Sequence, residues 1–183
     1  MSDRLNTARL ILRPVGEADI DDLVAFAGDA DVALMTARIP HPYTRRDGEH
    51  AVRSFQQGDQ QGTGVTFAIE RGDDHQFMGV VGLELPSDQS VGILGYWLGK
   101  PFWGCGYMTE AAARVVEHCF ETLNLDAVRA TALSENQASI NVQEKIGFGF
   151  KKIISEPRPA RGDTQEVPLR EITRQEWHYA HRS

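Results

Sequence analysis

The stretch that most constrains this chain runs from Val91 to Leu123. It opens on the apolar run Val91-Gly92-Ile93-Leu94-Gly95-Tyr96-Trp97-Leu98 and passes through the turn Gly99-Lys100-Pro101-Phe102-Trp103-Gly104-Cys105-Gly106-Tyr107. The run is short, β-branched and aromatic and is bounded by Gly and Pro, so it reads as a buried strand. From Met108 the apolar residues recur with helical period, at Met108, Ala112, Val115, Val116, Cys119, Phe120 and Leu123, with Glu110, Arg114, Glu117 and Glu121 on the other side. Strand, glycine turn and helix start together form a general device for holding an anion. The first N–H groups of a helix lack partners and carry the positive end of its dipole. Glycines let phosphate oxygens come close to the backbone. A P-loop is excluded, because Tyr107-Met108 stands where Lys-Ser or Lys-Thr is needed. A dinucleotide fingerprint is excluded for want of its third glycine, although Asp126 lies at about the right distance. A turn that merely needs glycine remains the plain alternative.

The rest of the chain supplies the sheet into which this unit fits. Arg9–Pro14 alternates as a half-buried strand, with Leu10 and Leu12 on one face. Ala18–Ala27 reads as a short helix with acids at its start, and Asp29–Pro42 as irregular. Thr44, with Asp47 three residues on, caps a helix expected to run to about Gly58, and polar Gln56–Gly64 reads as a loop. Val65–Glu70 and Gln76–Leu85 form an antiparallel pair turning at Gly72-Asp73-Asp74, and Pro86-Ser87-Asp88 turns into the strand at Val91. Ala127–Ala132 is a strand long enough removed from the previous one for a parallel crossover through the helix. Asn136 caps a helix over Gln137–Ile146, closed by Gly147. Phe150–Glu156 and Gln165–Ile172 are closing strands around a loop at Pro157–Asp163, followed by a short helix from Thr173 to Trp177 and a frayed end at His178–His181. The expected fold class is α/β: one domain over residues 1–183, with a mixed, mostly antiparallel sheet flanked by helices and one parallel strand pair. Ligands in such sheets sit beyond the carboxyl ends of the parallel strands, where the glycine turn and Ser134–Asn136 both fall.

Charge narrows the partners. The 183 residues carry a formal net charge of −7, which argues against general nucleic-acid binding and suits a cationic acceptor or simply solubility. The two cysteines, Cys105 and Cys119, are not spaced as a redox or zinc pair, so no metal and a reduced, cytoplasmic setting are expected. No apolar stretch approaches the roughly 20 residues of a membrane span, and Met1-Ser2-Asp3-Arg4 lacks a signal peptide's apolar core.

Two blocks in this chain are similar to a known pattern. Gly95-Tyr96-Trp97-Leu98 with Phe102-Trp103-Gly104-Cys105-Gly106-Tyr107-Met108-Thr109-Glu110-Ala111 resembles the acetyl-CoA loop of the GNAT superfamily of N-acetyltransferases. Asn136-Gln137-Ala138-Ser139-Ile140-Asn141 and Glu144-Lys145-Ile146-Gly147-Phe148 resemble the family's Asn-x-x-Ser and Glu-Lys-x-Gly-Phe segment. Thr7–Pro14 and Ile172–Trp177 fit the branch that acetylates the N-termini of ribosomal proteins, the RimJ/RimL type, so the resemblance covers nearly the whole chain.

The resemblance implies acetyl-CoA as co-substrate, with its diphosphate on the backbone N–H groups of Gly104, Cys105, Gly106, Tyr107, Met108 and Thr109 beside Trp103. It implies that the pantetheine arm pairs along Tyr96, Trp97 and Leu98, and that a backbone N–H near Leu98 serves as oxyanion donor. Asn136 and Asn141 carry over as coenzyme contacts, against readings as a helix cap and a solvated helix position. Ser139 matches a serine proposed as proton donor to the leaving thiolate.

Several positions depart from the family pattern. Cys105 stands where Arg or Lys is usual and Met108 where Gly or Ala is usual, so weaker coenzyme affinity is expected. Gln143 replaces the tyrosine many relatives use as acid, and Ile93 replaces a glutamate used as base, leaving Glu84 and Glu156 as candidate bases. A weak base set favours a low-pKa acceptor such as an α-amine, about 10% neutral at pH 7, over a lysine, under about 0.1% neutral. The expected function is acetyl transfer to a primary amine on a peptide N-terminus or small molecule, by a monomer or homodimer. The same departures suit a non-catalytic CoA-sensing module, which would bind CoA without turnover.

Overall fold

The computed structural model describes residues 4–86 and 90–180. Eight strands form one sheet: β1 (Leu5–Asn6), β2 (Leu10–Pro14), β3 (Gly64–Arg71), β4 (Phe77–Glu84), β5 (Val91–Leu98), β6 (Ala127–Thr131), β7 (Gly149–Arg158) and β8 (Asp163–Thr173). Their spatial order is β1-β2-β3-β4-β5-β6-β8-β7, and every neighbouring pair is antiparallel except β5 and β6. The helices are α1 (Ile20–Ala27), α2 (Ala30–Ala33), α3 (Arg45–Gln61), α4 (Tyr107–Glu121), α5 (Gln137–Lys145) and α6 (Arg174–Ala180). This is the mixed α/β architecture expected from the sequence, with one parallel pair joined through α4.

Alternation along the strands sorts the core into two faces. Phe67 and Ile69 of β3 pack with Leu10, Leu12, Val81 and Leu94 against the buried stripe of α4, Met108, Ala112, Val115, Val116, Cys119 and Phe120. Ala68 between them faces the other way and packs with Val80, Phe77 and Val52 beneath α1 and α3. Buried Gly48 in α3 faces Ile20 and Val24 of α1 closely enough that an added Cβ would already be in contact with both, so a side chain larger than alanine's would push the two helices apart. Thr44 caps α3 as expected, Asp47 reaching back to the Thr44 N–H at 2.7 Å.

The structure corrects several boundaries. Gln56–Gln61 is helix rather than loop: Gln is a good helix former, and the helix stops only where Gly62 takes a left-handed conformation, φ 68°. The strands β7 and β8 take Pro157, Arg158 and Asp163, shortening the loop between them. Asp29–Pro42 contains the short helix α2, capped by the Asp29 carboxylate at 2.8 Å from Asp31 N. The last helix extends through His178, Tyr179 and Ala180, with Thr173 bonded to Glu176 at its start. The expected turn at Ser87-Asp88 and His181 lie outside the described residues. The strand β5 is buried on one face only; Ile93 is 43% exposed, because the helices covering that face stop short of its first half.

Candidate active site

The site begins where β5 and β6 part. The two strands are paired over only three positions, Val91–Ala127, Gly92–Val128 and Ile93–Arg129. Beyond them, among the described residues, β5 continues to Leu98 held only by β4, and β6 continues to Thr131 held only by β8. A gap therefore opens at the carboxyl ends of the parallel pair. The N–H of Gly99 is bonded to Met78 O of β4 at 2.8 Å. Strand alternation then turns the N–H groups of Leu98 and Tyr96 the other way, into the gap. The Leu98 carbonyl points there as well and accepts from the Trp103 indole Nε1 at 2.7 Å.

The turn after β5 presents a run of bare donors. Gly104 and Gly106 have φ of 76° and 78°, the left-handed region that a side-chain-bearing residue avoids. Gly106 is the N-cap of α4 and has no side chain to satisfy the first turn. Among the described residues, no carbonyl or side chain accepts from the N–H groups of Gly104 to Thr109; the first bonded amide is Glu110 N, on Gly106 O at 3.1 Å. The acid in that first turn is turned aside: Glu110 accepts from Thr7 Oγ1 at 2.6 Å, Arg9 N at 2.9 Å and Arg9 Nε at 2.7 Å. Burial works to raise the Glu110 pKa, but these bonds outweigh it and hold the carboxyl below its ordinary value. Arg9 also donates to Cys105 O at 3.1 Å, and its guanidinium lies 4.6 Å from the centre of the Tyr107 ring. A groove of about 580 Å³ continues from the turn between α4 and the end of α5, lined among others by Thr109, Ala113, Lys145, Gly147 and Trp177.

Side chains cross the gap from β5 to α5. The Tyr96 hydroxyl lies 2.9 Å from Ser139 Oγ and 3.2 Å from Ser139 O. Burial raises the Tyr96 pKa, against the lowering effect of Ser139 and Gln143 nearby, so the phenol stays protonated at neutral pH. Gln143, 1% exposed, donates through Nε2 to Thr131 O at 3.1 Å and, more distantly, to Ser139 Oγ at 3.4 Å. Asn136 Oδ1 accepts from Ser139 N at 3.1 Å, so its side chain caps α5. Asn141 accepts from Gln137 at 2.9 Å on the exposed side of the same helix.

The opposite face of β5 is open. Ile93 is exposed there, and a Cβ placed on Gly95 would meet nothing within 4 Å. Glu156 reaches this region from β7, accepting from Thr131 Oγ1 at 2.9 Å. Glu84 stands opposite Ile93 but is ion-paired to Arg38, with both side chains more than half exposed. The irregular segment around α2 is tied to the β7–β8 turn by arginines: Arg158 donates to Leu34 O at 2.8 Å, and Arg161 to Ile39 O at 3.0 Å and to Ala33 O.

The structure thus gathers Tyr96, Ser139, Gln143, Thr131 and Glu156 around one gap, and leaves Glu84 in a separate ion pair. Arg9 is a further site residue that no sequence motif marks. Its guanidinium lies beside the turn where Cys105 lacks the cation usual there, from a position 96 residues away that carries no local signal. The contact of Tyr96 with Ser139, 43 residues apart, is likewise unmarked in the sequence. Among the described residues, no three His, Cys, Asp or Glu side chains are grouped to hold a metal. No helix there is long and apolar enough to cross a membrane.

Comparison with known proteins agrees with this architecture. Residues 9–149 match the family described as acetyltransferase (GNAT) domain. An uncharacterized N-acetyltransferase, p20, of Bacillus licheniformis is 24% identical over 177 residues, 96% of this chain and 98% of that protein. A solved RimL, a ribosomal L7/L12 α-N-protein acetyltransferase in complex with coenzyme A, superposes with a TM-score of 0.82 at 17% identity, over 93% of this chain and 98% of that one. The spermidine N-acetyltransferase of Vibrio cholerae, solved with CoA and spermine, gives a TM-score of 0.78 at 17% identity, over 93% and 99% of the two chains.

Proposed function

The chain belongs to the GNAT acetyltransferase family, and from that premise we propose that it transfers the acetyl group of acetyl-CoA to a primary amine of low pKa, most simply a peptide α-amine. The observation carrying this reading is the continuity of two features: bare N–H groups from Gly104 to Thr109, and the gap into which Leu98 N–H points. The residues fit the coenzyme. The amides of the turn and the start of α4 hold its diphosphate, and the unpaired edge of β5 from Tyr96 to Leu98 holds its pantetheine arm. Trp103 closes the wall by bonding Leu98 O. Bound acetyl-CoA supplies an acetyl thioester. Leu98 N–H then acts as oxyanion donor, stabilising charge as the amine attacks.

The amine enters over Ile93 and Gly95, on the open face. Glu156 receives its surplus proton, directly or through water, held towards the gap by Thr131. Glu84 faces the same entrance, and its pair with Arg38 makes it a gatepost rather than a base. Ser139 stands on the thiolate side. A ribosomal-protein N-terminus is one acceptor this reading accommodates and a polyamine another, these being what RimL and the Vibrio enzyme are named for. A cytoplasmic enzyme is implied, where acetyl-CoA and such acceptors meet. Incubation with acetyl-CoA and a panel of peptides and amines, followed by free-thiol release and mass-spectrometric location of the acetyl group, tests it. Release with α-amine acetylation supports the reading; CoA binding with no release across the panel would replace it with a non-catalytic sensing role.

A further inference from the structure

The Ser139 hydroxyl is held in an unusual balance. Gln143 Nε2 sits 3.1 Å from the Thr131 carbonyl oxygen, and reversing the amide would oppose two oxygens there. That contact sets the amide orientation and leaves Gln143 Oε1 buried without a partner among the described residues, and Gln143 meets Ser139 Oγ as a donor. Tyr96 is the other neighbour: its hydroxyl lies 2.9 Å from Ser139 Oγ, where either group can donate, and 3.2 Å from Ser139 O, and of the two hydroxyls the phenol is the better proton donor. In the arrangement where Tyr96 donates to Oγ rather than to Ser139 O, Tyr96 and Gln143 together occupy both lone pairs of Ser139 Oγ. In that arrangement its own proton points away from both, towards the gap. Apart from the Tyr96 oxygen, which accepts it in the reverse arrangement, no acceptor for that proton is found among the described residues.

We infer that Tyr96 and Gln143 are positioning residues that orient and polarise the Ser139 O–H as a hydrogen-bond donor to the leaving sulfur. The assignment rests on the acetyl-transfer reading above. In the step concerned, the amine nitrogen bonds to the acetyl carbon and the carbon–sulfur bond breaks. The sulfur leaves with the electron pair as a thiolate stabilised by Ser139 O–H. The amine's surplus proton goes to Glu156 or water, and the thiolate takes a proton from water, so the charges balance. Donation from two partners strengthens the third bond in the chain. This supplies from strand β5 the phenol that relatives carry at the position of Gln143.

The test is steady-state kinetics at saturating amine for the wild-type protein, Y96F, Q143L, S139A and the double variant Y96F/S139A. Y96F removes one hydroxyl without changing shape, so it keeps the assignment testable even if Q143L folds poorly. Loss of one such bond should lower kcat about 3- to 10-fold in Y96F and Q143L, with KM for acetyl-CoA unchanged. The double variant should be no slower than S139A alone, because Tyr96 acts only through Ser139. A Y96F loss that recurs in full on the S139A background, or one that appears only in KM, would overturn the assignment. Wild-type turnover that Y96F leaves unchanged would overturn it alone, whereas no thiol release by the wild-type protein would overturn the acetyl-transfer reading with it.

Discussion

Replacing Gly106 with Val separates coenzyme binding from folding. Gly106 sits at φ 78°, and a Cβ built on it meets only Arg9 Nη2, at 3.6 Å. The substitution is thus tolerated by the surroundings and opposed by its own backbone. A left-handed conformation costs a residue with a side chain about 1–2 kcal/mol, more for a β-branched one. The turn relieves that cost by rotating φ, which swings the N–H groups of Gly106 and Tyr107 off their common focus. Each hydrogen bond to a charged oxygen contributes about 1.5–3 kcal/mol, so losing two raises Kd for CoA on the order of 10²- to 10⁴-fold. The fold loses only the backbone strain, a Tm shift of about 2–8 °C for a chain of this size. Titration calorimetry with CoA and a thermal melt on the same preparation give both numbers. A Kd within about threefold of wild type, with the expected Tm shift, would refute the claim that these amides face the diphosphate.

Three further outcomes follow from the same geometry. Glu110 and Glu171 both have pKa values held below the ordinary carboxylate, Glu110 by Thr7 and Arg9 against its burial, Glu171 chiefly by Lys151 and, against burial, by Arg129. Their stabilisation is present above the unfolded value of 4.5 and is lost as pH falls through the lower folded values, so Tm should drop on acidification below that point, and E110Q should flatten the drop. T44A removes the cap of α3 and should cost about 1 kcal/mol in urea unfolding without changing CoA affinity; no loss would mean the cap is redundant. Exposed Cys105 should react with a disulfide reagent in the native protein, while Cys119, buried and with its thiol pushed up to about 12, should react only on unfolding; two fast thiols would contradict the packing of α4.

Local pattern carried the elements well where the physics is local. The apolar stripe of α4, the alternation of Leu10 and Leu12, and the cap at Thr44 depend on residues within a turn or two, and each is where periodicity places it, except that α4 ends at Glu121 and leaves Leu123 beyond the helix. The end of α3 was hidden because Gln56–Gln61 is polar and contains Gly58, which mimics a loop although the helix carries on to Gly62. The open half of β5 was hidden because exposure depends on where other elements stop. The main-chain part of the site was legible, since glycines after a strand expose N–H groups whatever the rest of the chain does. The side-chain part was not: Arg9 with Cys105, Tyr96 with Ser139, and Glu156 with Thr131 are contacts that only the assembled sheet creates.

The proposed reaction depends on the amides from Gly104 to Thr109 gripping the diphosphate of the coenzyme. Amide hydrogen exchange at those residues, measured with and without saturating CoA, addresses it most directly. Exchange at these amides and at Leu98 should be fast in the free protein and selectively slowed on adding CoA. Unchanged exchange at the turn while CoA demonstrably binds would contradict it.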